Sequence, residues 1–76
     1  MLRQSVESSD LKSVGYDNET QTLEIEFNSG PVYEYNNVPA SIYEGLINAH
    51  SLGLYFNQNI KDQYHFSKIS SWKFKP

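Results

Sequence analysis

Residues 51–61 hold the side chains whose types and spacing come nearest to a binding site. They read Ser-Leu-Gly-Leu-Tyr-Phe-Asn-Gln-Asn-Ile-Lys. A serine that caps a helix is followed by unpaired backbone N–H groups with partial positive charge, and a glycine lets an anion approach them closely. Ser51 and Gly53 fit these two roles. The aromatic, amide and basic side chains that follow could hold a flat ring and a negative charge.

Tyrosines and an amide extend this candidate site beyond the helix start. An accessible aromatic ring stacks on a nucleobase with about 1–3 kcal/mol, and an amide offers both donors and acceptors to a base edge. The predicted ligand-binding residues are Ser51, Gly53, Tyr55, Asn57, Lys61, Tyr64, Tyr33 and Tyr35.

A purely structural interpretation of the same residues stays open. Ser51 can be a helix cap and nothing more, and Gly53 can mark a tight junction between two helices. Phe56 lies on the apolar side of a short helix, where an aromatic residue usually belongs to the core. The amides at 57–59 would then be the solvated end of that helix.

The residues that could support catalysis or bind a metal do not form a known pattern. His50 and His65 are far apart and have no carboxylate at metal-ligand spacing. Glu24 and Glu26 share a strand face, but no neighbouring base, serine elbow or glycine-rich phosphate loop accompanies them. We therefore expect no catalytic residue, no metal and no cofactor, and predict that the protein is not an enzyme.

The length and composition indicate one small domain. A chain of 76 residues buries only about 60% of its unfolded surface, so each large side chain matters for stability. The chain contains no cysteine, but it has six Tyr, four Phe and one Trp. No apolar run approaches the roughly 20 residues that span a bilayer, and the N-terminus lacks the apolar segment of a signal peptide. We expect a soluble, cytoplasmic protein without a membrane partner.

The charge is distributed unevenly along the chain. Residues 1–47 hold two basic and eight acidic side chains, a net charge of −6, whereas residues 48–76 hold four lysines and one aspartate, a net charge of +3. Binding of a long polyanion requires several contacts from Lys or Arg to phosphates, which an acidic body opposes. Duplex DNA is therefore not expected as a partner, and an anionic ligand should be compact or meet only the C-terminal third.

The hydrophobic pattern predicts an α+β fold in the order β-β-β-α-α-β. Strands are predicted at 13–16, 23–27, 31–35 and 63–69, the last at a sheet edge. One helix starts at Pro39, or alternatively at a capping box that begins at Ser41, and a second follows Ser51. The expected architecture is a small antiparallel sheet with two short helices packed on one face, formed by residues 1–69 and followed by a tail at 70–76.

The hairpin between the second and third predicted strands decides where the tyrosines point. A loop of three residues, 28–30, with Gly30 in a positive-φ position, places Ile25 opposite Tyr33 and Leu23 opposite Tyr35. Both tyrosines then join the apolar face, whereas a two-residue loop would turn them to the other face. We predict the three-residue loop, with Glu24, Glu26 and Glu34 forming an acidic outer face.

An ordered set of motifs resembles the KTSC domain family, whose hallmark is a central Tyr-x-Tyr. In this chain that motif is Tyr33-Glu34-Tyr35, and the similarity runs from about Val6 to Tyr64. The matching positions are Ser8-Ser9, Val14-Gly15-Tyr16-Asp17, Leu23-x-Ile25-x-Phe27, Gly30, Val38-Pro39 and Ala49-x-Ser51-x-Gly53-x-Tyr55-Phe56-Asn57-x-x-Ile60. The resemblance implies a small non-enzymatic domain, found alone in bacterial and phage proteins or appended to some lysyl-tRNA synthetases, for which RNA binding is the usual suggestion.

Two functional hypotheses follow. The first is a binding module for a compact nucleotide-type ligand, either a short RNA or a cyclic oligonucleotide signal that a phage-type anti-defence protein would sequester. The second is a protein-interaction or homo-oligomerisation domain that uses a sheet edge or the aromatic tail with Trp72 and Phe74, because unpaired edge strands invite pairing.

Overall fold

The computed structural model describes residues 3–6 and 8–71, which form one antiparallel sheet and two helices. The elements are β1 (Arg3–Ser5), β2 (Leu11–Asp17), β3 (Thr22–Phe27), β4 (Pro31–Tyr35), α1 (Ala40–Ile47), α2 (Leu52–Asn59) and β5 (Phe66–Ser71). The strands lie in the order β1-β2-β3-β4-β5. The predicted α+β class and antiparallel sheet are confirmed.

The sheet contains one strand that the sequence pattern did not predict, and the last strand is shifted. β1 is only three residues long, too short for an alternating pattern to be recognised, and it pairs with β2 from Arg3 opposite Gly15 to Ser5 opposite Ser13. β5 begins at Phe66 rather than at 63, because residues 61–64 form a turn, and it extends to Ser71. The predicted tail at 70–76 therefore starts inside β5, and its residues 72–76 lie outside the described part of the chain.

The predicted hairpin register is confirmed. Leu23 lies opposite Tyr35 and Ile25 opposite Tyr33. The loop closes with a hydrogen bond of 2.9 Å from the Gly30 N–H to the Phe27 carbonyl, and Gly30 has a φ of 119°. A positive φ is costly for residues with a Cβ, so glycine at this position fixes the loop length and the register.

Both helices pack on one face of the sheet. The buried cluster consists of Leu11, Val14, Leu23, Ile25, Tyr35, Val38, Leu46, Phe56 and Ile60. An irregularity in the pairing of β2 with β3 lies between Leu11 and Ser13. Lys12 is the extra residue of this bulge, since Leu11 and Ser13 lie opposite the adjacent residues Phe27 and Glu26. The bulge allows Leu11 to face the core while Ser13 lies on the other face with Glu26. Phe56 belongs to the core, as predicted, and Ile60 lies beside it in the same cluster.

The helix starts differ in how they are capped. α1 begins after Pro39, with no side-chain hydrogen bond to its first turn, so the alternative capping box at Ser41 is wrong. Proline suits this position because it has no N–H that would need a partner. In α2 the Ser51 hydroxyl oxygen accepts a hydrogen bond of 3.2 Å from the Leu54 N–H, which confirms the predicted cap.

The acidic face of the sheet lies opposite the helices. Glu24 pairs across the strands with Glu34, and an ion pair of 2.8 Å joins Arg3 to Glu24. Ser13, which is buried, donates a hydrogen bond of 2.8 Å to Glu26. None of the helices in the described part of the chain is long and apolar enough to cross a membrane.

Candidate functional site

The predicted ligand-binding residues do not form a single site. Ser51 is the N-cap of α2, and Gly53 and Asn57 lie one helical turn apart within it. Tyr55 packs against α1. The remaining residues lie at or beyond the C-terminal end of α2 and in the sheet: Lys61, Tyr64, Tyr33 and Tyr35. The predicted residues therefore lie on two distinct surfaces, one at the start of α2 and one on the sheet.

The start of α2 is already in contact with an anionic group of the protein itself. A Cβ added to Gly53 would lie 2.5 Å from Oδ2 of Asp10, so the carboxylate touches the helix backbone where only glycine leaves room. A carboxylate near a helix N-terminus is favoured by the helix dipole. The space that a phosphate was expected to use next to Gly53 thus contains a side-chain carboxylate, which would repel a phosphate.

A network of hydrogen bonds holds the loop that presents Asp10. The Ser8 hydroxyl oxygen accepts from the N–H of Asp10 at 3.1 Å and from the N–H of Leu11 at 3.2 Å. The hairpin loop joins this network through Asn28, whose N–H donates to the Asp10 carbonyl at 2.9 Å and whose amide donates to the Ser8 carbonyl at 3.1 Å. The loop at 8–10 and the hairpin loop at 28–30 are therefore fixed against each other.

An open cleft of about 590 Å³ lies where these two loops meet α2. Its lining residues are Ser9, Asp10, Phe27, Asn28, Ser29 and Asn57. Ligand pockets typically measure about 300–1,000 Å³. We call this space the Asp10 cleft. It combines one carboxylate, two amides and two hydroxyls with a single aromatic ring, and none of the cationic side chains in the described part of the chain lines it.

Of the residues that line the Asp10 cleft, only Asn57 was among the predicted ligand-binding residues. The segment 28–30 was predicted as a hairpin loop, and the segment 8–10 also consists of turn-forming residues, serine and aspartate. Turn chemistry is local, however, and does not indicate which turns meet in the folded chain. The two turns are both polar, but this is not a specific signal for a cleft, because loops exposed to solvent are usually polar.

Tyr55 serves the contact between the two helices. A Cβ added to Gly45 in α1 would overlap the Tyr55 hydroxyl and lie 2.6 Å from Cζ of the ring. The close neighbour of Gly45 is therefore an aromatic ring from α2. The helix–helix junction is thus at Gly45, not at Gly53. Tyr55 is half-buried in this contact, and little of its ring is left for a ligand.

A second surface consists of aromatic rings near the β5 end of the sheet. The ring centroids of Phe27 and Tyr33 are 5.6 Å apart, and those of Tyr33 and Phe66 are 5.5 Å apart, both pairs edge-to-face. We call these three residues the aromatic band. Phe66 in β5 is 47% exposed, and Lys68 in the same strand lies directly opposite Tyr33. The band runs from the Asp10 cleft, which Phe27 lines, to a lysine.

Tyr35 lies beneath this surface and belongs to the core. It is 4% exposed and its ring contacts Phe56 and Phe66. Burial raises the pKa of Tyr35 to about 12, with smaller contributions from Tyr33 and Asp62. Its hydroxyl therefore stays neutral at physiological pH. Tyr35 faces the core because the hairpin register places it opposite Leu23. It therefore supports the exposed rings from beneath and is not itself accessible to a ligand.

The remaining polar residues do not add a centre of chemistry. Lys61 is exposed in the turn after α2, and Tyr64, half-buried, packs against the core. His65 makes a contact of 3.3 Å between Nδ1 and the Asn36 amide. Within residues 3–6 and 8–71, no three histidine or acidic side chains lie close enough together to hold a metal ion.

Comparison with known proteins places these features in a family. The sequence profile of the KTSC domain matches residues 7–64. An uncharacterised protein of Stutzerimonas stutzeri is 48% identical over 65 residues, which cover 86% of this chain and 92% of that protein. A lysine–tRNA ligase of Nostoc punctiforme is 50% identical over 64 residues, or 84% of this chain, but the match spans only 11% of the ligase.

The fold is similar to that of a solved relative. The crystal structure of a KTSC domain protein from Yersinia pestis superposes with a TM-score of 0.89 and 36% sequence identity. The superposition covers 91% of this chain and 97% of the other. Both the sequence profile and the fold give the same result, which confirms the resemblance seen in the motifs: the chain belongs to the KTSC domain family.

Proposed function

We propose that the protein is a non-enzymatic binding module for a compact nucleotide-type ligand, such as the end of a short RNA or a cyclic oligonucleotide. The observation that carries this proposal is the aromatic band, with an exposed phenylalanine at one end and a lysine beside it. A nucleotide offers a flat base and a phosphate, and these two groups match a ring and a cation on one surface.

Stacking on Phe66 would supply the larger part of the affinity. Its ring is 47% exposed, and edge-to-face contact with Tyr33 holds it in place. A ring that is fixed before the ligand arrives loses little conformational freedom on binding. Base stacking on an accessible aromatic ring contributes about 1–3 kcal/mol.

The charges favour a small ligand at this position. Lys68 lies opposite Tyr33, so its side chain is on the face of the sheet that carries the aromatic band. Glu24, Glu26 and Glu34 lie on the opposite face, where they would repel the continuing backbone of a long nucleic acid. One or two phosphates beside Lys68 fit this distribution better than an extended strand does.

The relatives are consistent with RNA as a source of the ligand. Lysine–tRNA ligases of two Nostoc strains contain a segment similar to this chain, at 50% and 45% identity. These enzymes act on a transfer RNA, as their name states. The proposal takes from them the class of ligand only, since this chain corresponds to 11% of either ligase.

The proposal is tested by titrating the protein with nucleoside monophosphates, cyclic di- and trinucleotides and RNAs of three to six nucleotides, followed by calorimetry. A ligand that binds the folded state also raises the melting temperature. Phe66→Ala should lower the affinity about 5- to 150-fold, which corresponds to the loss of one stacking contact. Lys68→Gln should weaken binding and its dependence on salt.

Lys12→Gln is the matched control, because Lys12 is also an exposed lysine on a strand but lies in β2, away from the band. It should leave the affinity unchanged. If no member of the ligand panel binds, or if Lys12→Gln weakens binding as much as Lys68→Gln does, the proposal is wrong.

A second candidate is self-association through β5. Among the described strands β5 is at one end of the sheet, and Phe66 and Ile69 expose 47% and 43% of their surface. An edge strand with apolar side chains can pair with another chain. Sedimentation equilibrium of the wild type and of Ile69→Lys distinguishes this case: a dimer that the substitution dissociates would support it, and a monomeric wild type would exclude it.

A further inference from the structure

The carboxylate of Asp10 lies against the start of α2 but accepts no hydrogen bond in the part of the chain that the structure describes. No backbone or side-chain group of residues 3–6 and 8–71 donates a hydrogen bond to it, and the one ion pair there joins Arg3 to Glu24. Its backbone, in contrast, is held on both sides by Ser8 and Asn28. An exposed carboxylate on a fixed backbone, lining a cleft of about 590 Å³, is suited to a ligand that presents hydrogen-bond donors.

We propose that the Asp10 cleft binds a guanine base, with the carboxylate of Asp10 accepting hydrogen bonds from N1–H and the 2-amino group. This inference rests on the proposed function and specifies the base that the nucleotide carries. The Watson–Crick edge of guanine places two donors side by side, which is the arrangement that the two oxygens of one carboxylate accept. Adenine presents an acceptor at N1, which a carboxylate repels.

The other cleft residues complement the rest of that base. The Asn57 side chain is exposed in the cleft and has an amide that can donate to O6 of guanine. The Asn28 amide already donates to the Ser8 carbonyl, so it fixes the wall rather than reading the base. The Phe27 ring offers an apolar surface to the base plane, and within residues 3–6 and 8–71 no lysine or arginine lines the cleft.

The position of the cleft relative to the aromatic band sets the size of the ligand. Phe27 lines the cleft and is also the first ring of the band, with Tyr33 and then Phe66 next to it. A guanine in the cleft therefore places the neighbouring nucleotide of a dinucleotide or a cyclic oligonucleotide toward Phe66 and Lys68. The carboxylate at the start of α2 excludes phosphate from the cleft, so the phosphates are directed to the lysine.

The experiment compares GMP, IMP and AMP by isothermal titration calorimetry. These differ at the base edge that Asp10 would contact, since IMP lacks the 2-amino group and AMP also lacks N1–H. The expected order of affinity is GMP, then IMP, then AMP. In Asp10→Asn the preference for GMP over AMP should fall about 5- to 150-fold, the range for loss of one bidentate base contact. Glu19→Gln, which neutralises an exposed acidic residue outside the cleft, should leave it unchanged.

Each outcome decides between the two proposals. Guanine recognition by Asp10 is overturned if the three nucleotides bind with equal affinity, or if Asp10→Asn retains the preference for GMP. The proposed stacking function still holds in either case if Phe66→Ala weakens binding. Binding of none of the nucleotides or short RNAs overturns both. A circular dichroism melt of Asp10→Asn and Glu19→Gln identifies any loss of binding that follows from unfolding.

Discussion

Because Gly45 contacts Tyr55, we expect the effect of Gly45→Ala on the free energy of unfolding to change sign when Tyr55 is replaced. Substituting Gly45 by Ala in an isolated helix would stabilise it by about 1 kcal/mol, because alanine has the higher helix propensity. In this protein the new methyl group would overlap the Tyr55 hydroxyl and approach Cζ at 2.6 Å and Cε2 at 3.0 Å. We therefore expect Gly45→Ala to destabilise the protein.

The magnitude follows from the two opposing contributions. Overpacking in a well-packed contact costs about 1–3 kcal/mol, and the gain in helix propensity offsets about 1 kcal/mol of it. Gly45→Ala alone should thus lower the free energy of unfolding by about 0–2 kcal/mol. Tyr55→Leu removes the hydroxyl oxygen and the two ring carbons nearest to the added methyl group. In that background Gly45→Ala should raise the free energy of unfolding by about 1 kcal/mol.

Urea and thermal denaturation, monitored by circular dichroism, measure the four proteins of this double-mutant cycle. For a domain of this size 1 kcal/mol corresponds to about 4–8 °C in Tm. The expected interaction energy between the two positions is about 1–3 kcal/mol. If Gly45→Ala had the same effect with Tyr55 and with Leu at position 55, the ring would not be what requires glycine, and the proposed helix–helix contact would be refuted.

Two further predictions concern the helix cap and a buried tyrosine. Ser51→Ala should lower the free energy of unfolding by about 1 kcal/mol, since the Leu54 N–H loses its acceptor. Ser41→Ala is the control and should change the free energy of unfolding by less than about 0.5 kcal/mol, because Ser41 does not cap α1. Urea denaturation measures both variants. Burial raises the pKa of Tyr35 from 10.0 to about 12, so the folded state disfavours ionisation, and the stability from this group is fully present below pH 10 and is lost as the pH rises to about 12. Denaturation at several pH values should show this decline, and a decline that persists unchanged in Tyr35→Phe would contradict the assignment to Tyr35.

Local patterns in the sequence determined the parts of the fold that depend on neighbouring residues. The alternation in 23–27 identified β3, because side chains of a strand alternate between its faces. The loop at 28–30 fixed the register, and Ser51 identified the start of α2. The family followed from the order of such motifs. The three residues of β1 were missed, since a strand that short is formed by pairing with β2 rather than by its own pattern.

The tertiary structure decided which of these local features form a site. Gly53 meets Asp10 and Gly45 meets Tyr55, and in each pair the partners come from different elements. The Asp10 cleft exists because the loop at 8–10 and the hairpin loop at 28–30 bond to each other beside α2. The sequence established that α2 starts with a cap and a glycine. Only the packing of distant segments placed a carboxylate there, because steric fit and charge act between groups that are close in space, wherever they lie in the chain.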